Sequence, residues 1–576
     1  MSNDRPKNWR PGRMTTDPAR LVALDVLEQV RHGAYANIAL PQTLRKAGIS
    51  GRGRGFATNL TYGTLRMQGK WDAIIARCVA GRDFEDIDPL VLDILRLGAH
   101  QLLDMKVPLH AAMNETVNMA RNEAGSGASG FVNAVMHRIS ERTPDDWDDL
   151  LAEELEGDGQ KAVLGALTSH PTWIIDRLED SLVASGRPAA DLGDVLAANN
   201  DPALVALAPR DISSEEIAAQ ASEWRMPNRP GDIVAGAVVL ERGNPGRLPA
   251  VRDHGAGVQD EGSQLVALIA AYAPLKGSDK AWLDLCAGPG GKAASLAREA
   301  MPRGAQLFAN EQHGHRLDLV AQAVEPYEDI VVLREGDGRE LGELEPNRFD
   351  RVLVDVPCSG LGSLRRRPEA RWMKRDEDAE NMSRVQLELL TAAIASARPG
   401  GIIVYSTCSP DLRETREIVE KATGVEVLDA VEIARSVAVP GSLDTVQGPY
   451  LQLWPDEHDT DGMFAAVFRK LDAIDAINAS DAEATSDEME HEEQPVESDE
   501  TADHLPQPGE KAEAAEELAI SGEEPDPVAD EAADEGPGAA NAGSEESDRA
   551  EEEGAGEASE APAVGDLGDE RSGPVA

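Results

Sequence analysis

Cysteine is scarce. Four stand in 576 residues, Cys78, Cys286, Cys358 and Cys408. No two share the C-x-x-C spacing of a zinc or redox motif, so neither a disulfide scaffold nor a structural metal is expected. That usage fits a reducing, cytoplasmic setting. Long apolar runs are also missing. None approaches the roughly 18 residues that span a bilayer, and Met1–Arg13 is basic and polar, without the apolar stretch of a secretory signal. Aromatic side chains make up 4% of the chain, and positive charge is short: 55 Lys and Arg face 105 Asp and Glu, a net of −50. Such a deficit ordinarily argues against a nucleic-acid partner.

The deficit is unevenly spread. Residues 471–576 hold 35 acidic and 3 basic residues, whereas residues 1–70 are +8. The last stretch is Ala, Glu, Asp, Gly, Ser and Pro. It cannot bury enough apolar area to offset ordering entropy and reads as a disordered acidic tail. A basic flexible N-terminus, 1–16, precedes a helical region, 17–145. There Asp17-Pro18 and Asp88-Pro89 are start signals, with Asp to cap and Pro at the first helical position. The run Leu90–Leu95 is apolar nearly all round and predicts a buried central helix. Further helices are expected at 110–122 and 131–140, with Gly125–Gly130 as a loop between them. Residues 146–250 give a weaker signal, a connector or small mixed subdomain with short strands at Ala203–Ala208 and Ile233–Leu240.

Between 251 and 470 short apolar strands alternate with helices: Ala281–Cys286, Ala305–Asn310, Ile330–Leu333, Asp350–Asp355 and Gly401–Ser406. That pattern means a parallel sheet covered on both faces, with its ligand beyond the carboxyl ends of the strands. The first strand runs into Cys286-Ala287-Gly288-Pro289-Gly290-Gly291-Lys292, where glycines admit a close ligand and a helix points its amides. Gly288-x-Gly290-x-x-Ala293 half-matches a dinucleotide fingerprint, which a merely tight strand–helix turn would also produce. A P-loop is excluded, because Cys286 stands where its first glycine would be. The second strand ends at Glu311, placed to accept ribose hydroxyls, and the third leads to Asp337, placed to accept from an adenine amino group. An adenosine-bearing cofactor suits all three. Asp355-Val356-Pro357-Cys358-Ser359-Gly360 follows the fourth strand, and Thr407-Cys408-Ser409 the fifth. Two of four cysteines thus fall at the ligand edge of one sheet, where a thiolate has chemical use. Cys78, on an apolar helix, and Cys286, at a strand end, read as small core residues.

The motifs Cys286–Lys292, Asp355–Gly360 and Thr407–Ser409 resemble the RNA (cytosine-5) methyltransferases of the Sun/Fmu type. The resemblance runs from Val258–Ser263 to Thr460–Phe464. Tyr62–Arg66, Leu95–Gly98 and Phe131–Val135 look like the NusB-like domain fused to the bacterial small-subunit rRNA members (RsmB type). The resemblance implies an all-α NusB-like, RNA-binding N-terminal domain and an α/β Rossmann-like class I methyltransferase domain over 251–470. It implies S-adenosyl-L-methionine held by Cys286, Ala287, Gly288, Pro289, Gly290, Gly291, Lys292, Glu311, Asp337 and Asp355. By the family pattern Cys408 is the nucleophile on C6 of cytosine, Cys358 assists release, and Asp355 bonds the N3/N4 edge of the base. The chain departs from the pattern at Gly288 (usually Ala), Glu311 (usually Asp), Val356 and Leu361. After Cys408, Glu414-Thr415-Arg416-Glu417 replaces Glu-Asn-Glu, and no role carries over to it.

RNA contacts are expected from Arg365, Arg366, Arg367, Arg371, Lys374 and Arg375, which surround Trp372 shortly after the Cys358 motif. A second basic surface gathers Arg45, Lys46, Arg52, Arg54, Arg66 and Lys70 around Phe56 and Tyr62. The expected partner is RNA, with rRNA ahead of tRNA, and the expected state a monomer without metal or membrane. A non-catalytic RNA-binding or assembly factor and an NAD enzyme are the alternatives. Paired cysteines have no use in either.

Overall fold

The computed structural model describes residues 16–472. The expected tail, except Leu471 and Asp472, and the N-terminal segment before Thr16 lie outside the described residues.

Seven helices build the N-terminal domain: Pro18–Arg31, Ala36–Lys46, Gly51–Arg66, Gln68–Cys78, Pro89–Leu103, Leu109–Met119 and Ser126–Ile139. Both Asp-Pro starts work as caps, Asp17 accepting from the Ala19 amide and Asp88 from those of Leu90 and Val91. Pro89–Leu103 is the central helix, with Ile94, Leu95 and Leu97 wholly buried. The Gly125–Gly130 loop is a correction. Gly125 alone breaks the chain, at φ 95°, after a short i→i+5 turn at Ala120–Ala124, and the next helix already begins at Ser126. Ala128, Phe131 and Val132 of that helix pack on the domain core, and this burial outweighs the cost of its glycines.

Residues 144–198 are helical throughout, in Pro144–Leu155, Gln160–Thr168, Thr172–Ala184 and Leu192–Ala198. A small antiparallel sheet follows, of β1 (Val205–Pro209), β2 (Asn228–Pro230), β3 (Val238–Leu240) and β4 (Ala256–Val258), in the order β2-β3-β1-β4. It reaches past the boundary expected at 250. The strand expected from Ile233 starts only at Val238, because the Glu261 carboxylate takes the amides of Asp232, Ile233 and Val234 into a turn.

The C-terminal domain is one eight-stranded sheet. Five strands are parallel: β5 (Ala281–Asp284), β6 (Gln306–Glu311), β7 (Val331–Glu335), β8 (Phe349–Asp355) and β9 (Ala397–Thr407). Antiparallel β12 (Phe464–Lys470) inserts between β9 and β10 (Val425–Leu428), and β11 (Leu451–Gln452) pairs with β12. The order is β7-β6-β5-β8-β9-β12-β10. The chain therefore winds outward from β5 through β6 and β7, then returns to β8 on the other side. A crevice opens at that reversal, beyond the carboxyl ends of β5 and β8. Separate apolar cores cover the two faces of the sheet.

Candidate active site at the sheet edge

A cavity of about 510 Å³ occupies this crevice. Cys286, Gly288, Pro289, Glu311, Asp337, Asp355, Cys358 and Cys408 all line it, so the five strand ends converge on one space. Ala287, Gly290, Gly291 and Lys292 do not line it. They shape the loop and the charges behind it. Gly290 sits at φ 106°, where an added Cβ would stand 2.5 Å from that of Ala323. A Cβ on Gly288 would collide with the Glu311 carboxylate. That carboxylate takes the Gly288 amide at 3.1 Å and the His313 amide at 3.1 Å, while Arg316 donates to the Gly288 carbonyl at 2.9 Å. Glu311 thus braces the glycine loop and still faces the cavity.

Acceptors dominate the edge. Asp337 caps the turn after β7 and is held by Arg339, whose guanidinium keeps its carboxyl below the usual carboxylate range. Asp355 accepts from Lys292 at 2.9 Å and from the Ser406 hydroxyl at 2.8 Å. Its charge is the main reason Lys292, although buried, is raised as an acid. Sequence reasoning missed Asp284. It is wholly buried at the end of β5, beside the Cys286 backbone amide and behind the cavity wall. Burial, with Asp355 nearby, pushes it up to about 7. The signal was present: one carboxylate inside the apolar run Trp282-Leu283-Asp284-Leu285. Asn310 Oδ1 is also buried, and it has no hydrogen-bond partner among the described residues.

The two thiols lie side by side, Cys358 Sγ 3.4 Å from Cys408 Sγ. The hydrogen bond from Cys358 is the main influence lowering Cys408, and Lys292 adds to it. Cys358 is driven the opposite way by that same bond, by burial and by the charge of Glu414. At one pH, Cys408 is the better thiolate and Cys358 the better proton carrier. Glu414 is a second residue missed from sequence. Wholly buried, it accepts the Ser359 amide at 2.8 Å and Gln386 Nε2 at 3.0 Å, and it also takes the Ser359 hydroxyl. Gln386 in turn donates to Pro357 O at 2.8 Å, so one buried network grips both sides of Cys358.

The arginine-rich segment requires correction. Arg371 is wholly buried and donates to the carbonyls of Arg66 (2.9 Å), Ser169 (3.1 Å) and Asn199 (2.8 Å) and to Asn200 Oδ1 (2.8 Å). It joins the helical domain, the connector and the sheet domain, and has no surface left for RNA. Burial, with Arg66 beside it, pulls it down to about 9. Arg365 is buried too and paired with Asp459. Arg366 is exposed but holds Asp461. Arg367 and Lys374 line the cavity, and Arg375 is exposed. On the second surface Arg66 is buried and Lys70 pairs with Asp148, while Arg45, Lys46 and Arg52 are exposed and Arg54 half-buried. Among the described residues no cluster of ligands is arranged for a metal ion, and no helix is long and apolar enough to cross a membrane.

A family model described as 16S rRNA methyltransferase RsmB/F matches residues 272–469, and the NusB family model matches 17–141. Rv1407 of Mycobacterium tuberculosis (strain H37Rv), named as a methyltransferase, is 44% identical over 473 residues, covering 81% of this chain and 99% of the relative. The chain belongs to the RsmB/F family of 16S rRNA methyltransferases. An Escherichia coli (strain 536) relative named ribosomal RNA small subunit methyltransferase B is 29% identical over 452 residues, 78% of this chain and 97% of its own length. The crystal structure of PH0851 shares the fold, with a TM-score of 0.64 at 19% identity over 80% of this chain and all of that one. Family membership makes the chain an RNA methyltransferase that uses an S-adenosylmethionine-type cofactor. The site suits that group: the Gly288 cradle has no room for a side chain, and Asn310, which lines the cavity, has a buried Oδ1 without a partner that can accept from an amino or hydroxyl donor.

Proposed function

We propose that this RsmB/F member methylates C5 of a cytosine in small-subunit (16S) rRNA, using S-adenosyl-L-methionine and a covalent Cys408–C6 adduct. The observation that carries the reading is the thiol pair, 3.4 Å apart at the ends of adjacent strands and biased in opposite directions. C5 of cytosine is a weak nucleophile. Addition of the Cys408 thiolate at C6 forms a C–S bond and moves the electron pair to C5, which becomes enamine-like. Asp355, held between Lys292 and Ser406, is the group assigned to the N3/N4 edge, where it passes a proton from the Lys292 ammonium to N3 as the displaced electron pair arrives there and takes it back on release. After C5 is alkylated its proton passes to water, the C5–H electron pair forms the new C5–C6 double bond, and the C6–S bond breaks, returning its electron pair to Cys408. Cys358, adjacent, is assigned to this release, its thiol donating a hydrogen bond to the departing sulfur. Residues Cys286–Lys292, Glu311, Asp337 and Asp355 are assigned to the cofactor, which when bound supplies an electrophilic methyl group. The target base must leave any stack to enter the cavity, at a cost of a few kcal/mol, which favours single-stranded or junction RNA. Arg367, Lys374 and Arg375 remain available for RNA, together with Arg45, Lys46 and Arg52.

The test is labelled S-adenosylmethionine with small-subunit RNA and a tRNA control, followed by mapping of 5-methylcytosine. Label in small-subunit RNA, abolished by Cys408→Ala, is the expected result. Full activity of Cys408→Ala would overturn the mechanism, and label confined to tRNA would overturn the substrate.

A further inference from the structure

Resting on the cytosine-5 reading, we propose that Tyr35 of the helical domain is a stacking platform for the RNA base next to the extruded cytosine, with Arg367 and Lys374 holding that nucleotide's phosphates. Tyr35 lines the cavity that contains both thiols, together with Ser363, Arg367, Ala370 and Lys374. The Arg367 guanidinium carbon lies 5.5 Å from the centre of the Tyr35 ring. An aromatic face beside two cations is the combination that takes a nucleotide without reading its sequence.

The ring is held in register with the cysteines although it belongs to another domain. Tyr35 precedes the helix Ala36–Lys46, whose first amide, that of Ala36, donates to Glu369 Oε1 at 3.0 Å across 333 positions of sequence. Arg371, two residues on, is the buried clamp described above. Trp372 packs under Gly69 so closely that a Cβ there would meet its ring at 2.5 Å. A platform held this way needs little ordering on binding. Extruding one base deprives its neighbour of a stacking partner, and an aromatic ring at the cavity wall replaces the lost contact.

The experiment uses the full chain and small-subunit RNA carrying 2-aminopurine on either side of the mapped cytosine. Wild type and Tyr35→Phe should quench the probe at one of the two sides, and Tyr35→Ala should not. Tyr35→Ala should also lower kcat/KM for RNA on the order of 5- to 150-fold, mainly through KM, with cofactor affinity unchanged. An unquenched probe on both sides in the wild type overturns the proposal even if Tyr35→Ala folds poorly. So does Tyr35→Ala with unchanged RNA kinetics, or one whose loss lies in cofactor affinity, which would give the ring to the cofactor. Absence of 5-methylcytosine from the wild-type reaction would instead remove the underlying reading.

Discussion

The carboxyl edge of the large sheet and the segment 365–375 are both rich in charge, and the fold treats them in opposite ways. At the edge Glu311, Asp337 and Asp355 keep partners and still face a cavity. In the segment Arg365 and Arg371 turn inward, and Arg371 gives its hydrogen bonds to carbonyls of two other regions. The difference lies in backbone regularity. A parallel strand ends in one place relative to its neighbours, so residues after it share an edge whatever their type. An irregular segment has no such period, and its charges go wherever burial can be matched by hydrogen bonds.

Substitutions can break or sharpen that contrast. The largest effect is expected at the edge: Cys408→Ser should cut methyl transfer by roughly 10³-fold or more while cofactor binding persists, read by single-turnover kinetics and calorimetry. Glu414→Ala should follow. It strands the Ser359 amide and Gln386 in the interior and should cost about 3 kcal/mol in chemical denaturation; a loss under about 0.5 kcal/mol would mean that Glu414 does not hold the Cys358 loop. Arg371→Met orphans buried carbonyls and should cost about 2 kcal/mol, leaving the salt dependence of RNA binding unchanged. A flattened salt slope would return Arg371 to the RNA surface. Lys374→Ala should do the reverse, with stability kept and the slope of log affinity against log salt reduced by about 1. The smallest effect is a shift in pH. In the proposed mechanism Cys408 reacts as thiolate, and the hydrogen bond from Cys358 lowers its pKa. Removing that bond in Cys358→Ala raises it, so the rising limb of adduct formation should move to higher pH. A limb that moved down would contradict the assignment.

The same contrast explains what could be read from sequence. The parallel strands were legible within a few residues, because apolar runs bounded by Gly, Pro and Asp carry their own period. The cavity residues at their ends were legible for the same reason, as were the fold classes of the all-α N-terminal domain and the α/β methyltransferase domain. Ser126–Gly130 was not, since local glycine content favours a loop and only the burial of Ala128, Phe131 and Val132 overrules it. Tyr35 and Arg371 were out of reach altogether. Tyr35 reaches the cavity through a helical domain more than 300 positions earlier in the chain, and Arg371 is buried by carbonyls as distant as Arg66. Glu414 fell between. It was visible beside Cys408, but its grip on Ser359 and Gln386 depends on how β8, β9 and the helix Asp376–Ser396 meet.

The central claim is the division of labour between two adjacent thiols. Its most direct test is denaturing electrophoresis of Cys358→Ala after incubation with S-adenosylmethionine and small-subunit rRNA. A slow-migrating protein–RNA adduct that disappears in the Cys358→Ala, Cys408→Ala double variant is predicted. Normal turnover by Cys358→Ala without an adduct, or an adduct that survives loss of Cys408, would contradict it.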